Sequence, residues 1–203
     1  MELKSFTPVI SEQNLNELRK RLLATRLPQI IGKDDWKYGV PTKWLEEMID
    51  YWANTWRWES VSREINRYEN FKVEIDGIDI HVLRSKGSKS NSIPIILTHG
   101  WPWTFWDFRY VIDPLSSPNE KTLPSFDVII PSLPGFGFST PLTQSGIDVP
   151  SIARLWNKLM TEVLGYKRYA AHGGDWGSLI TAHLGHAYSE NMIGIHLGLP
   201  VIP

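Results

Sequence analysis

The sequence predicts an α/β fold, a mostly parallel sheet with flanking helices behind an N-terminal hairpin, preceded by a helical segment over residues 1–70. Three observations carry this. Phe71, Val73 and Ile75 alternate with polar residues, Asp76-Gly77 supplies a two-residue turn, and Ile78, Ile80 and Val82 alternate again, which is a hairpin pattern. Short apolar runs such as Pro94-Ile95-Ile96-Leu97 then suit strands buried on both faces. Between those runs, apolar residues recur at helical spacing.

Taken in order, Ser11 caps a first helix with Leu15, Leu18 and Leu22 on one face. A connector with Pro28, Gly32, Gly39 and Pro41 leads to Thr42, read as the cap of a second helix whose Trp44, Leu45, Met48, Ile49 and Trp52 form a packing stripe. Trp58 to Tyr68 reads as a shorter third helix carrying Val61 and Ile65. After the hairpin and the first buried strand, Thr104 to Leu115 is helical by spacing, and Val128-Ile129-Ile130 is a strand. Asp148 begins a helix that turns Ile152, Leu155, Trp156, Leu159 and Val163 inward and ends at Gly165. A strand enters Gly173-Gly174-Asp175-Trp176-Gly177-Ser178, a helix leaves it, and a last strand, Ile193 to Leu197, runs toward Pro203. The domain reading is therefore 1–70, a helical meander, and 71–203, a sheet core.

Composition limits the function classes. The 203 residues carry net charge −1 from 21 basic and 22 acidic side chains with no charged run, which gives no reason to invoke nucleic acid. The absence of cysteine excludes disulfides and thiolate chemistry and fits a reducing compartment. Met1 to Gln13 lacks an apolar signal core and no run has the length of a membrane span, so a soluble, cytoplasmic protein without a membrane anchor is expected.

In parallel sheets chemistry sits at the carboxyl ends of strands, and three loops fall there: 99–102, 132–139 and 173–178. Asp175 stands in a small-x-Asp-x-small frame, where Gly173 and Gly177 permit a sharp strand-to-helix turn, with Gly174 beside them. Its carboxylate can attack an electrophilic carbon and form an ester, or it can simply cap the helix that follows; spacing leaves both open. The turn His99-Gly100-Trp101-Pro102 places the Trp101 N–H beside that of Trp176 as two donors to one oxyanion. His99 reads as a buried histidine that holds this turn rather than as a general base. His183 and His186 share a helix face without an evident third ligand, so neither metal nor cofactor is expected. The loop with Pro134, Gly135, Phe136, Gly137 and Phe138 lacks phosphate-binding spacing and reads as an apolar pocket wall.

These motifs together resemble the epoxide hydrolases of the α/β-hydrolase superfamily, in particular the microsomal-type branch with its N-terminal meander. The match rests on Phe6-Thr7-Pro8, the tryptophan-rich helices, the Asp76-Gly77 hairpin, His99 to Pro102, Pro131 to Ser139 and Gly173 to Ser178. The resemblance implies that Asp175 attacks an epoxide carbon, that Trp101 and Trp176 supply oxyanion-hole amides, and that Trp101-Pro102 is a cis bond. It also implies that Trp176 lines the pocket for a small apolar epoxide; Pro134, Phe136 and Phe138 of the apolar loop are read as its wall, with His99, Gly100, Pro102, Gly173, Gly174 and Gly177 in support.

Members of that family continue into a cap with two tyrosines that protonate the epoxide oxygen, then return with an acidic residue and a histidine that activates water. No tyrosine or histidine of this chain stands at those positions, Tyr110 and Tyr169 included. The resemblance thus implies an N-terminal portion from a soluble bacterial or fungal relative, inactive or incomplete alone, present as a truncated product, a fragment or one piece of a split enzyme. Its partners are then a complementary C-terminal fragment or a second copy. Two other readings remain: a haloalkane dehalogenase, which shares the elbow Asp-Trp but typically starts near the hairpin, and a non-catalytic binding or assembly protein on the same fold.

Overall fold

The structure is a computed structural model and describes residues 2–29 and 34–199; Gly32 of the expected connector and the chain end at Pro203 lie outside the described residues. Two compact units emerge, Pro8–Glu64 and a body made of Met1–Thr7 with Ile65–Pro203.

In the first unit, Ser11 caps α1 (Glu12–Leu23) by accepting from the Asn14 N–H, and Leu15 is buried. Thr42 does not cap α2 (Thr42–Asp50); it is the first helical residue after Pro41. The Asp34 carboxylate performs that task instead, accepting from the N–H groups of Thr42 at 2.6 Å and Lys43 at 3.2 Å. An anion there satisfies free amides and opposes the positive end of the helix dipole. The helix runs on into a π-helical turn, Tyr51–Thr55, and α3 follows at Trp58–Ile65. The stripe expected to pack is largely exposed at Trp44, Met48 and Trp52, with Trp36 meeting Trp44 edge-on at 5.8 Å.

The second unit is built on one seven-stranded mixed sheet, in the order β1-β2-β3-β5-β4-β6-β7. The hairpin is β2 (Glu69–Ile75) and β3 (Ile78–Ser85), closed by Asp76 at φ 52° and Gly77 at φ 78°, the double left-handed turn that matches strand twist. A strand absent from the sequence reading, β1 (Lys4–Ser5), pairs antiparallel with β2. β5 (Phe126–Pro131) pairs antiparallel with β3 and parallel with β4 (Ile93–Thr98). β6 (Tyr169–Gly173) and β7 (Met192–Leu197) extend the parallel half, so the three candidate loops leave adjacent strands β5, β4 and β6 at one end.

Helices on this sheet follow the apolar spacing with two adjustments. The span from Thr104 divides into a 3₁₀ turn, Phe105–Phe108, whose Trp106 N–H donates to Thr104 Oγ1, and α4 (Arg109–Ser116), with Pro114, which has no N–H to give, near its end. Asp148 caps α5 (Val149–Lys158), which continues as a π-helical turn before Gly165 at φ 76°. The inward faces of α5, its π-helical continuation and α6 (Trp176–Ala187) bury Trp156, Leu159, Ile180 and Leu184 in one core with Ile80, Ile96 and Ile129. Among the described residues no helix is long and apolar enough to cross a membrane.

Candidate active site

Backbone geometry builds the site before any side chain acts. β6 turns into α6 at Asp175, which holds φ 52° and ψ −125°, a conformation costing a non-glycine residue about 1–3 kcal/mol. Neighbouring glycines make that turn possible through close approach. A Cβ on Gly173 would strike the Gly177 carbonyl, and a Cβ on Gly177 would strike the Thr98 carbonyl. On the facing loop, a Cβ on Gly100 would lie 2.5 Å from both Cβ and Oδ1 of Asp175. Gly174 differs, since a Cβ there meets nothing within 4 Å and its φ is not left-handed.

The carboxylate of Asp175 lies where the two tryptophan amides meet. The Trp101 N–H donates to Asp175 Oδ1 at 2.9 Å, and the Trp176 amide adds to the stabilisation of the carboxylate's charge. These donors, Trp101 first, hold its pKa below the ordinary Asp range, against a smaller opposing effect of burial. Asp175 is therefore ionised at neutral pH, with Oδ1 engaged by Trp101. Its side chain makes no cap hydrogen bond of the usual kind; its carbonyl takes the Ser178 N–H at 2.9 Å. The peptide bond Trp101-Pro102 is cis.

His99 ties the loops together. Its Nε2 accepts from the Leu133 N–H at 3.1 Å, which places the proton on Nδ1, donating to the Gly100 carbonyl at 3.0 Å. Burial lowers its pKa and keeps that tautomer neutral, so both nitrogens are committed to structure. Among the described residues no histidine hydrogen-bonds to the Asp175 side chain. His172 and His196 bring their Nδ1 atoms within 2.8 Å of each other across β6 and β7. His183 and His186 stand with ring centroids 6.5 Å apart, and no group of three potential ligands that could hold a metal occurs among the described residues.

Beside the elbow lies an apolar cavity of about 380 Å³, bordered by Trp101 and Trp176. Pro134 and Phe136 line it, and Phe138 does not. Its ring turns to the opposite side of the loop, against Phe6, His81 and Phe105 at 5.3 to 5.8 Å, because Gly137 at φ 51° reverses the chain between the two phenylalanines.

Several contributors were not singled out from sequence. Ser178 donates from Oγ to the Gly173 carbonyl at 2.8 Å and accepts from the Leu199 N–H at 3.1 Å, locking both sides of the elbow. Its place three residues after Asp175 is the only signal it gave. Leu142, Ile147 and Ile152 complete the cavity wall; Ile152 sat on the inward face of its predicted helix, while the two loop residues carried no periodic pattern.

Comparison with known proteins gives the family and the fold. The family model described as "Epoxide hydrolase N terminus" matches residues 3–108, and the one described as "alpha/beta hydrolase fold" matches residues 93–197. A putative epoxide hydrolase of Stigmatella aurantiaca is 38% identical over 200 residues, covering 97% of this chain and 45% of that protein. Epoxide hydrolase 1 of Sus scrofa is 32% identical over 207 residues, with 98% and 45% covered. The crystal structure of juvenile hormone epoxide hydrolase from the silkworm Bombyx mori superposes with a TM-score of 0.85 at 30% identity, covering 98% of this chain and 53% of that one. The Aspergillus niger epoxide hydrolase structure gives 0.84 at 26% identity, with 100% and 54% covered. The chain spans about half the length of the relatives it matches.

Proposed function

We propose a function from one premise: the chain belongs to the epoxide hydrolase family of the α/β-hydrolase fold. Asp175 is the nucleophile in the conversion of a small apolar epoxide to a vicinal diol. The observation that carries this is the ionised carboxylate at a strained strand-to-helix turn, held by the Trp101 and Trp176 amides beside an apolar cavity.

In the first step Asp175 Oδ2 attacks one epoxide carbon. The carbon–oxygen bond to that carbon breaks, the ring oxygen takes a proton from water, and a 2-hydroxyalkyl ester remains on Asp175. In the second step water attacks the ester carbonyl, and charge develops on Oδ1, the atom that already accepts from Trp101. The diol then leaves, and the carboxylate is restored as the proton released neutralises the hydroxide left by the first step. His99 is unsuited to activate that water, since both its nitrogens are engaged. The reading therefore assigns ester formation to these residues and the activation of water to a base that is not among them.

The family match over residues 3–108 supports this reading over halide displacement, because it covers the helical segment on which the two differ. A cytoplasmic setting belongs to the same reading, supported by a sequence without cysteine.

The test is intact-mass measurement of the chain after incubation with 1,2-epoxyhexane. One epoxide mass is gained and maps to the peptide containing Asp175, and Asp175→Asn gains none. An adduct that persists in Asp175→Asn, or maps elsewhere, refutes the assignment.

A further inference from the structure

Two histidines outside the Asp175 site meet near the carboxyl ends of β6 and β7, the latter at the edge of the sheet. His172 and His196 are register partners on these parallel strands, so their side chains leave the same face of the sheet. Their rings lie nearly parallel, at 25° with centroids 4.8 Å apart, and their Nδ1 atoms approach to 2.8 Å. The His196 carbonyl oxygen stands 3.2 Å from His172 Nδ1. Two nitrogens and one oxygen thus gather at one place, although no three ligating side chains do so among the described residues.

We infer that this cluster binds a divalent transition-metal ion of tetragonal preference, Cu²⁺ in particular, through His172 Nδ1, His196 Nδ1 and the His196 carbonyl. Only one proton fits between two nitrogens 2.8 Å apart, so one of them always presents a lone pair to the other. A metal ion takes the place of that proton. Each ring then carries its single proton on Nε2, and both imidazoles stay in the neutral form that ligates metals. Burial lowers the His172 pKa, the neighbouring His196 ring adds to this, and His172 is therefore neutral at pH 7. Metal binding here is independent of the role assigned to Asp175.

Spacing selects the class of metal. With metal–imidazole distances of about 2.0–2.1 Å, nitrogens at adjacent corners of a square stand about 2.9 Å apart, and those of a tetrahedron about 3.3 Å. The observed 2.8 Å matches the square. A mixed nitrogen and oxygen set in that geometry suits Cu²⁺ or Ni²⁺ rather than Zn²⁺, and Cu²⁺ binds the more tightly of the two. His196 is exposed and His172 half-buried, so an ion reaches the nitrogens from solvent and water completes its shell. The Phe108 ring packs edge-on against His172 at 5.8 Å, which restricts rotation of that imidazole. His183 and His186 stand wider, with centroids 6.5 Å apart, and serve as an internal control.

The test titrates Cu²⁺ into the unsubstituted chain near neutral pH and follows the imidazole resonances by NMR and the electron paramagnetic resonance spectrum. At substoichiometric Cu²⁺ the signals of His172 and His196 broaden before those of the other histidines, and the spectrum is axial with hyperfine splitting from two nitrogens. His172→Gln and His196→Gln each weaken binding roughly 100-fold or more, at least what loss of a supporting group costs, while His183→Gln leaves it within about twofold. Earlier broadening at His183 and His186 overturns the inference, as does an absence of Cu²⁺ binding. An affinity unchanged within about twofold in both His172→Gln and His196→Gln overturns it as well. The broadening needs no substitution, so it decides the question where circular dichroism shows that a variant fails to fold.

Discussion

Acid should destabilise this protein through its buried histidines before its carboxylates titrate. His81 on β3 is completely buried, ringed by Phe6, Phe105 and Phe138. Asn70 spends its amide hydrogens on the Ile65 and Tyr68 carbonyls, so its Oδ1 accepts from His81 Nε2 at 3.1 Å, and His81 Nδ1 accepts from the Ser132 hydroxyl at 2.9 Å. Burial pushes the His81 pKa down to about 3, and the Lys72 charge adds to that. An unfolded histidine titrates near 6.5. Between those values the unfolded chain binds a proton that the folded chain does not, so stability present above pH 6.5 is lost as pH falls, by about 1.4 kcal/mol per unit. From pH 7 to 4.5 His81 alone removes about 2.5 kcal/mol. His99 and His172, also lowered by burial, act with the same sign. The lowered carboxylates Asp76, Asp148 and Asp175 contribute stability that is present above the ordinary Asp value of about 3.9 and lost only below it, outside this window. Urea titrations at half-unit steps from pH 7 to 4.5 measure the slope, and His81→Gln lowers it by about 1 kcal/mol per unit. Stability constant within about 0.5 kcal/mol across the window refutes the account of His81.

Two further outcomes bear on the elbow. Gly177→Ala and Gly100→Ala force the Thr98 carbonyl or the Asp175 side chain to move, and each slows alkylation of Asp175 about 100-fold or more, while Gly174→Ala stays within about twofold; equal losses at all three positions in a mass-labelling time course contradict the steric argument. Because the amides of Trp101 and Trp176 lower the Asp175 pKa from its ordinary value, its alkylation rate is level from about pH 8 to about pH 5.5, and a fall with a midpoint near 6.5 would assign the step to a histidine.

The parts legible in sequence are those in which local chemistry and tertiary demand agree. Asp76-Gly77 announces its turn because both positions need left-handed backbone, and the alternation on either side fixes which face is buried. Asp175 announces itself through glycines that sterics require at 173 and 177. What escaped depends on partners distant in sequence. β1 is two exposed residues whose identity as a strand exists only through pairing with Phe71 and Lys72. Asp34 caps a helix from eight residues upstream, beyond the reach of a capping pattern. Phe138 looks equivalent to Phe136 in sequence, and the backbone reversal at Gly137 alone sends it to His81. Gly174 looks as necessary as its neighbours until the empty space around it is seen.

The strain at Asp175 has a definite set of restraints. Ser178 gives its N–H to the Asp175 carbonyl and its hydroxyl to the Gly173 carbonyl, while the Gly198 N–H reaches the same Gly173 oxygen at 2.8 Å from the end of β7. The Leu199 N–H, also beyond β7, completes Ser178. From the other side β4 delivers Trp101, positioned by the His99 link to Leu133 after β5. Four adjacent strands thus converge on one turn. A conformation costing about 1–3 kcal/mol persists when its surroundings over-determine it. On the proposed function, the same amide that helps to fix the carboxylate at rest also faces the oxygen that carries charge when the ester is cleaved. Under that proposal, preorganisation of the nucleophile and of the second transition state is one structural feature, which ties the strained turn to the Trp101 loop.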